Sequence, residues 1–215
     1  KYGKMKISMI KNILFDFGGV LIDADLEASS EKFRSLGMEN ISEYLNLYCQ
    51  NGLFYGVESG ELDRDGFRKA FSEVVKKEVS DAELEEAWMA IVKGINLDKL
   101  KWIEAHRGDL KFYLLSNINP YVFDWAESED FTELGKPIGY YFDKMFASYQ
   151  IKLTKPKEDV FKYVMENAPL KPEETLFVDD GAKNIETAQR LGFQTYQPQN
   201  GENWIAKLEE LLGWR

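Results

Sequence analysis

Three polar clusters in this sequence each arrive at the end of an apolar run. Asp16 follows Ile13-Leu14-Phe15, Ser116-Asn117 close the largely apolar residues 110–115, and Asp179-Asp180 follow Thr175-Leu176-Phe177-Val178. Gly18 and Gly19 come directly after Asp16, where two glycines let the backbone turn sharply and approach a bound group. Lys155-Pro156 lies between the second and third clusters. Each cluster alone has a bland reading: Asp16 opens a turn, Ser116-Asn117 make a strand-end turn, and Lys155-Pro156 make a surface turn. Together they allow chemistry. Carboxylates gathered in one place repel unless a divalent cation holds them, and oxygen ligands without histidine favour magnesium. A lysine beside them balances charge and holds a phosphate, while Ser116 and nearby amides donate hydrogen bonds to its oxygens.

Such a convergence needs a parallel sheet. In open parallel sheets ligands bind beyond the carboxyl ends of the strands, where all three clusters fall. The spacing predicts strands over 110–115, 145–147, 175–178 and 193–196, with helices over 121–126, 160–165, 182–191 and 204–212. Alternating strands and helices imply an α/β fold, a Rossmann-like parallel sheet covered on both faces.

The stretch from Asp23 to about Gly94 has a different rhythm. Leu26, Phe33 and Leu36, continuing through Ile41, Tyr44, Leu45 and Leu47, have helical spacing, as do Phe67, Ala70, Phe71, Val74 and Val75. A further helix is expected over 81–92, with Ser80 as its cap and Glu83 three residues on. Asp63-Arg64-Asp65-Gly66 lacks the remaining ligands of a calcium loop and reads as a helix start. The segment is expected to be a small helical bundle without a strand, with Phe54, Tyr55 and Trp88 in its core. The expected division is a core of residues 1–23 and 95–215 and an inserted helical domain of residues 24–94.

Composition narrows the function. Across 215 residues, 27 Lys and Arg face 37 Asp and Glu, a net charge of −10 that disfavours nucleic acid and anionic membranes as partners. Cys49 and His106 are each the sole residue of their type, which excludes a zinc constellation and an intrachain disulfide. Without an apolar run of about 18 residues or a signal-peptide pattern, a soluble cytoplasmic protein is expected.

At this point the sequence resembles the haloacid dehalogenase superfamily, whose phosphatases carry four motifs in this order. Asp16-Phe17-Gly18-Gly19-Val20 looks like the first, Leu114-Leu115-Ser116-Asn117 the second, Lys155-Pro156 the third, and Phe177-Val178-Asp179-Asp180 with Asn184 the fourth. Residues 24–94 fall where that superfamily places its helical type-1 cap. The resemblance implies Asp16 as a nucleophile forming an aspartyl phosphate, with Lys155 as its catalytic companion. It implies phosphate binding by Ser116, Asn117 and Lys155, and magnesium held by Asp16, the Gly18 carbonyl, Asp180 and Asp179. A small phosphate ester, with a sugar phosphate preferred, is the expected substrate, and the chain a monomer or small homo-oligomer.

One position departs from that pattern. Most phosphatases of the superfamily carry a second aspartate two residues after the nucleophile, as general acid, and here that residue is Gly18. A branch similar to bacterial glucose-1-phosphate phosphatases shares Asp-x-Gly and a later pair like Asp23 and Asp25. These two aspartates read either as substitute acids or, more simply, as a cap for the first inserted helix. An anomeric leaving group, being more acidic, needs less protonation and would fit a missing acid. The departure keeps alternatives open: a dehalogenase in which Asp16 attacks carbon, a phosphosugar mutase, or a non-catalytic binding protein.

Overall fold

The computed structural model describes residues 10–46 and 50–214; Leu47 and Cys49 lie outside them. Strands β1 (Asn12–Phe15), β4 (Lys111–Ser116), β5 (Lys144–Ala147), β6 (Thr175–Val178) and β7 (Gln194–Tyr196) form one sheet in the order β5-β4-β1-β6-β7, every pairing parallel. The sheet is central because β1 is buried throughout. Ile13 and Phe15 pack into one apolar cluster and Leu14 into a second, so successive residues serve opposite faces. Helices α5 (Leu97–Ala105), α6 (Pro120–Ala126), α8 (Glu158–Asn167), α9 (Ala182–Arg190) and α10 (Ile205–Leu211) alternate with the strands, within a few residues of the expected spans.

The insertion holds α1 (Leu26–Ser35), α2 (Gly52–Ser59), α3 (Arg64–Val75) and α4 (Asp81–Met89). Three of these begin where side-chain caps were expected. Asp25 accepts from the Ala28 amide, Asp63 from the Gly66 amide, and Ser80 with Glu83 closes a capping box. Asp25 is therefore used as a cap. Phe33, Phe54, Phe67, Phe71 and Trp88 form the aromatic centre, while Tyr55 sits at its edge and meets Lys157.

Three expectations fail in this region. The segment is not free of strand: β2 (Ile22–Ala24) and β3 (Val92–Ile95) pair antiparallel at its two ends. Both are short, and β3 is half-buried without alternation, so neither leaves a period-two signal. The helix expected over 81–92 stops at Met89 because Val92 belongs to that ribbon. Helical spacing also overextends through Ile41, where only a single 3-10 turn (Ile41–Glu43) forms. Among the described residues, no helix is long and apolar enough to cross a membrane.

His106 closes α5, packs against Trp102 and stacks on Trp214, a structural role. Tyr141 and Phe142 are buried and Tyr140 is exposed.

Candidate active site

Register brings the polar clusters to one edge. Phe15 pairs with Leu114 on one side and Val178 on the other, so Asp16, Ser116 and Asp179 emerge together at the carboxyl ends of β1, β4 and β6. The Asp16 amide donates to the Val178 carbonyl at 2.9 Å, and its Oδ1 accepts the Phe17 amide at 2.7 Å. The following turn requires glycine at position 19. Its φ is +72°, and a Cβ there would lie 2.2 Å from Asp180 Oδ2. Val20, next in the turn, offers its carbonyl to two buried donors, Lys99 Nζ at 2.7 Å and Trp204 Nε1 at 2.9 Å.

Lys155 binds the edge together. Its Nζ lies 2.8 Å from Asp16 Oδ1 and 2.6 Å from Asp179 Oδ2, and the residue is 3% exposed. Burial opposes its charge, yet Asp16 and Asp179 outweigh burial and hold its pKa above the ordinary lysine value. Asn117 fastens the Lys155 backbone twice: its Oδ1 accepts the Lys155 amide at 2.8 Å and its Nδ2 donates to the Lys155 carbonyl at 2.9 Å. The Asn117 side chain thus positions Lys155, and the residue also lines the cavity. Ser116 lies buried at the strand end and lines the cavity.

The acidic pair divides its work. Asp179 is fully buried, with one oxygen on Lys155 and the other accepting from the Gly181 amide at 2.8 Å and from Asn184 Nδ2 at 2.9 Å. Asn184 therefore holds Asp179. Among the described residues no hydrogen bond from another residue reaches the Asp180 carboxylate, which lines the cavity. Asp16, Asp179 and Asp180 each place a carboxylate oxygen within 4.8 Å of the others. Burial pushes Asp16 up to about 7, with Lys155 pulling it down and Asp179 and Asp180 adding repulsion. Burial and then Asp179 raise Asp180 to about 6, against Lys155. A donor set of oxygens only, short of positive charge and with one carboxylate unengaged, fits a hard divalent cation such as magnesium.

The opposite wall of the cavity comes from the inserted helices. Glu58, near the end of α2, is 9% exposed and shares the cavity with Asp16, Gly18, Ser116 and Lys155. Burial, with the Asp16 charge adding to it, raises its pKa to about 8. Ser148, which opens α7 (Ser148–Ile151), fixes this stretch by donating from its Oγ to the Glu58 carbonyl at 2.6 Å while accepting from the Ile118 amide at 3.0 Å. Leu26, Asn46, Gln50 and Ile91 complete the wall.

The structure thus gathers Asp16, Gly18, Ser116, Asn117, Lys155, Asp179 and Asp180 around one cavity, with Asp179 at its back behind Lys155. Asp23 stands apart, 3.8 Å from Lys93 at the β2–β3 ribbon. Glu58 was missed by sequence reasoning. The available signal was an acidic residue in the last turn of an apolar helix, where the macrodipole disfavours negative charge.

Comparison with known proteins agrees with this layout. A family model described as haloacid dehalogenase-like hydrolase matches residues 10–192. A D-ribitol-5-phosphate phosphatase from Bacteroides thetaiotaomicron is 41% identical over 204 residues, covering 95% of this chain and 99% of that protein. A predicted HAD-like family hydrolase from Porphyromonas gingivalis superposes with a TM-score of 0.92 at 43% identity, covering 95% and 98% of the two chains. A HAD family enzyme from B. thetaiotaomicron, solved with magnesium and inorganic phosphate, gives a TM-score of 0.84 at 37% identity over 92% and 98%.

Proposed function

The chain belongs to the haloacid dehalogenase-like hydrolases, and on that premise we propose that it is a magnesium-dependent phosphatase of small polyhydroxy phosphate esters, with Asp16 as nucleophile. The observation that carries the reading is Lys155 Nζ bridging Asp16 and Asp179 beside Asp180, whose carboxylate no other described residue hydrogen-bonds. A buried cation against Asp16 supports its use as a nucleophile, and Asp180 supports a metal beside it. Asp16, the Gly18 carbonyl and Asp180 would hold magnesium, which supplies the neutralisation that lets a carboxylate approach a phosphate dianion.

Asp16 attacks phosphorus in line, forming an aspartyl phosphate that water then hydrolyses. Lys155 orients the transferring group and offsets its charge, and Ser116 donates to a phosphoryl oxygen. Asp179 and Asn184 keep Lys155 in place, and Asn117 fixes its backbone. We read residues 24–94 as a helical cap that shields the site from water. The relative's action on D-ribitol 5-phosphate makes an alditol phosphate the first ester to try.

The test is phosphate release from alditol, aldose, nucleoside and aryl monophosphates, with magnesium and with chelator. The reading predicts magnesium-dependent turnover that ranks a polyol phosphate above nucleotides. Turnover indifferent to chelator, or none on any polyol phosphate by folded protein, contradicts it.

A further inference from the structure

The proposed reaction leaves one proton without a source. A primary alcohol of a polyol is a poor leaving group as its alkoxide, and the residue two places after Asp16 is Gly18, which has no side chain to donate. A Cβ built on Gly18 meets nothing within 4 Å, so the space that a side chain would take there is left open to the cavity. Of the other acidic residues nearby, Asp180 is assigned to the metal and three have partners of their own. Asp25 caps α1, Asp23 faces Lys93 at the ribbon, and Asp179 is saturated by Lys155, Gly181 and Asn184.

Glu58 is different. Its residue is 91% buried, its side chain lines the cavity that holds Asp16, Gly18 and Lys155, and among the described residues no hydrogen bond engages its carboxyl. It enters from the inserted helices, whereas Asp16 enters from the sheet. In-line displacement sets the leaving oxygen on the far side of phosphorus from Asp16, toward the wall that Glu58 occupies. The position is also held. Ser148 ties the Glu58 carbonyl to the β4 and β5 strand ends, and Gly60 seats the end of α2 so closely on the Tyr149 carbonyl that a Cβ would lie 2.1 Å from it. From this geometry we infer that Glu58 is the general acid and base of the reaction, supplied by the cap in place of the aspartate missing at Gly18.

The inference rests on the phosphatase reading, and its steps balance. Asp16 attacks phosphorus, the bond from phosphorus to the ester oxygen breaks, and its electron pair stays on that oxygen. The oxygen takes the Glu58 proton, releasing the alcohol and leaving a Glu58 carboxylate. That carboxylate removes a proton from water as the water oxygen attacks phosphorus. The bond to Asp16 breaks with its pair returning to Asp16, giving hydrogen phosphate and protonated Glu58. Burial in an apolar helix favours the protonated form needed for the first step.

Leaving-group dependence tests the assignment, read as kcat/KM so that only steps through aspartyl-phosphate formation count. With a polyol phosphate, Glu58→Gln is expected to lose about 10²- to 10⁴-fold, the usual contribution of general acid catalysis. With p-nitrophenyl phosphate, whose leaving group needs no proton, the same variant should stay within a few-fold of wild type. Imidazole buffer near neutral pH, whose cation carries a transferable proton, should rescue Glu58→Ala on the polyol ester alone, and that rescue supports the assignment even if Glu58→Gln is damaged in folding. An unchanged polyol rate in Glu58→Gln overturns the inference, as does equal loss on both esters without imidazole rescue. Wild-type protein inactive on every ester with magnesium would instead defeat the phosphatase reading itself.

Discussion

Lys155 stands between Asp16 and Asp179, and the burial that drives Asp16 toward protonation decides how the metal-free site responds to pH. Burial pushes Asp16 up to about 7 in the fold against an ordinary 3.8, so between those values the folded chain holds more protons than the unfolded chain. Stability therefore falls as pH rises through that window and stays reduced above it. In chelator, wild type should lose melting temperature relative to Asp16→Asn between about pH 5 and about pH 8, the shift accounting for at most about 4 kcal/mol. Magnesium should restore it. Parallel melting curves for the two proteins across that range would contradict the crowding of Asp16. At this scale the sequence is legible where chemistry punctuates a strand end. Asp16, Ser116 and the Asp179-Asp180 pair could be read directly, because each follows an apolar run, whereas Lys155 follows none and was legible only beside the other motifs. Glu58 could not, since it lies inside an apolar helix and only tertiary packing brings that helix over the sheet. Nor could the division between Asp179 and Asp180, which depends on where Gly181, Asn184 and Lys155 meet Asp179.

The elements that matter most for the site are α2 and the start of α7. Ser148 makes one hydroxyl serve two backbone groups, the Glu58 carbonyl and the Ile118 amide. Ser148→Ala would leave both without that partner in a buried setting, at a cost of about 1–3 kcal/mol. Urea unfolding should show that loss, and the polyol-phosphate rate should fall more than the aryl-phosphate rate because Glu58 loses its anchor. Wild-type stability in Ser148→Ala would contradict the role. Gly60→Ala should act in the same direction, since φ there is +74° and the Tyr149 carbonyl leaves no room for a methyl group. The sheet elements were readable from apolar runs and the caps from Asp25, Asp63 and Ser80. The β2–β3 ribbon was not, because three or four half-buried residues carry no period. Four-residue α7 is too short for a helical pattern.

Across the whole molecule, one apolar cluster runs from the sheet into the inserted helices. Phe15, Phe112 and Trp204 belong to it, and so do Phe33, Phe54 and Trp88. Phe67 meets Tyr121 of α6 at 6.0 Å between ring centroids, and Arg64 lies 4.1 Å over the Tyr121 ring while reaching Asp124. With the two parts sharing a core, unfolding should be a single transition, tryptophan fluorescence and circular dichroism coinciding in urea. Separated transitions would show that residues 24–94 fold on their own. The net charge of −10 belongs to this scale as well. An acidic protein with one buried lysine at its site attracts a phosphate dianion only once a cation is present.

The central claim is that Asp16 carries the phosphoryl group. Its most direct test is phosphate release from the preferred ester by wild type and Asp16→Asn in parallel, with acid-quenched samples searched by mass spectrometry for a phosphoryl adduct. The account predicts magnesium-dependent release by wild type, an adduct confined to the peptide bearing Asp16, and neither in Asp16→Asn. Release at the wild-type rate by Asp16→Asn, or an adduct on another residue, would contradict it.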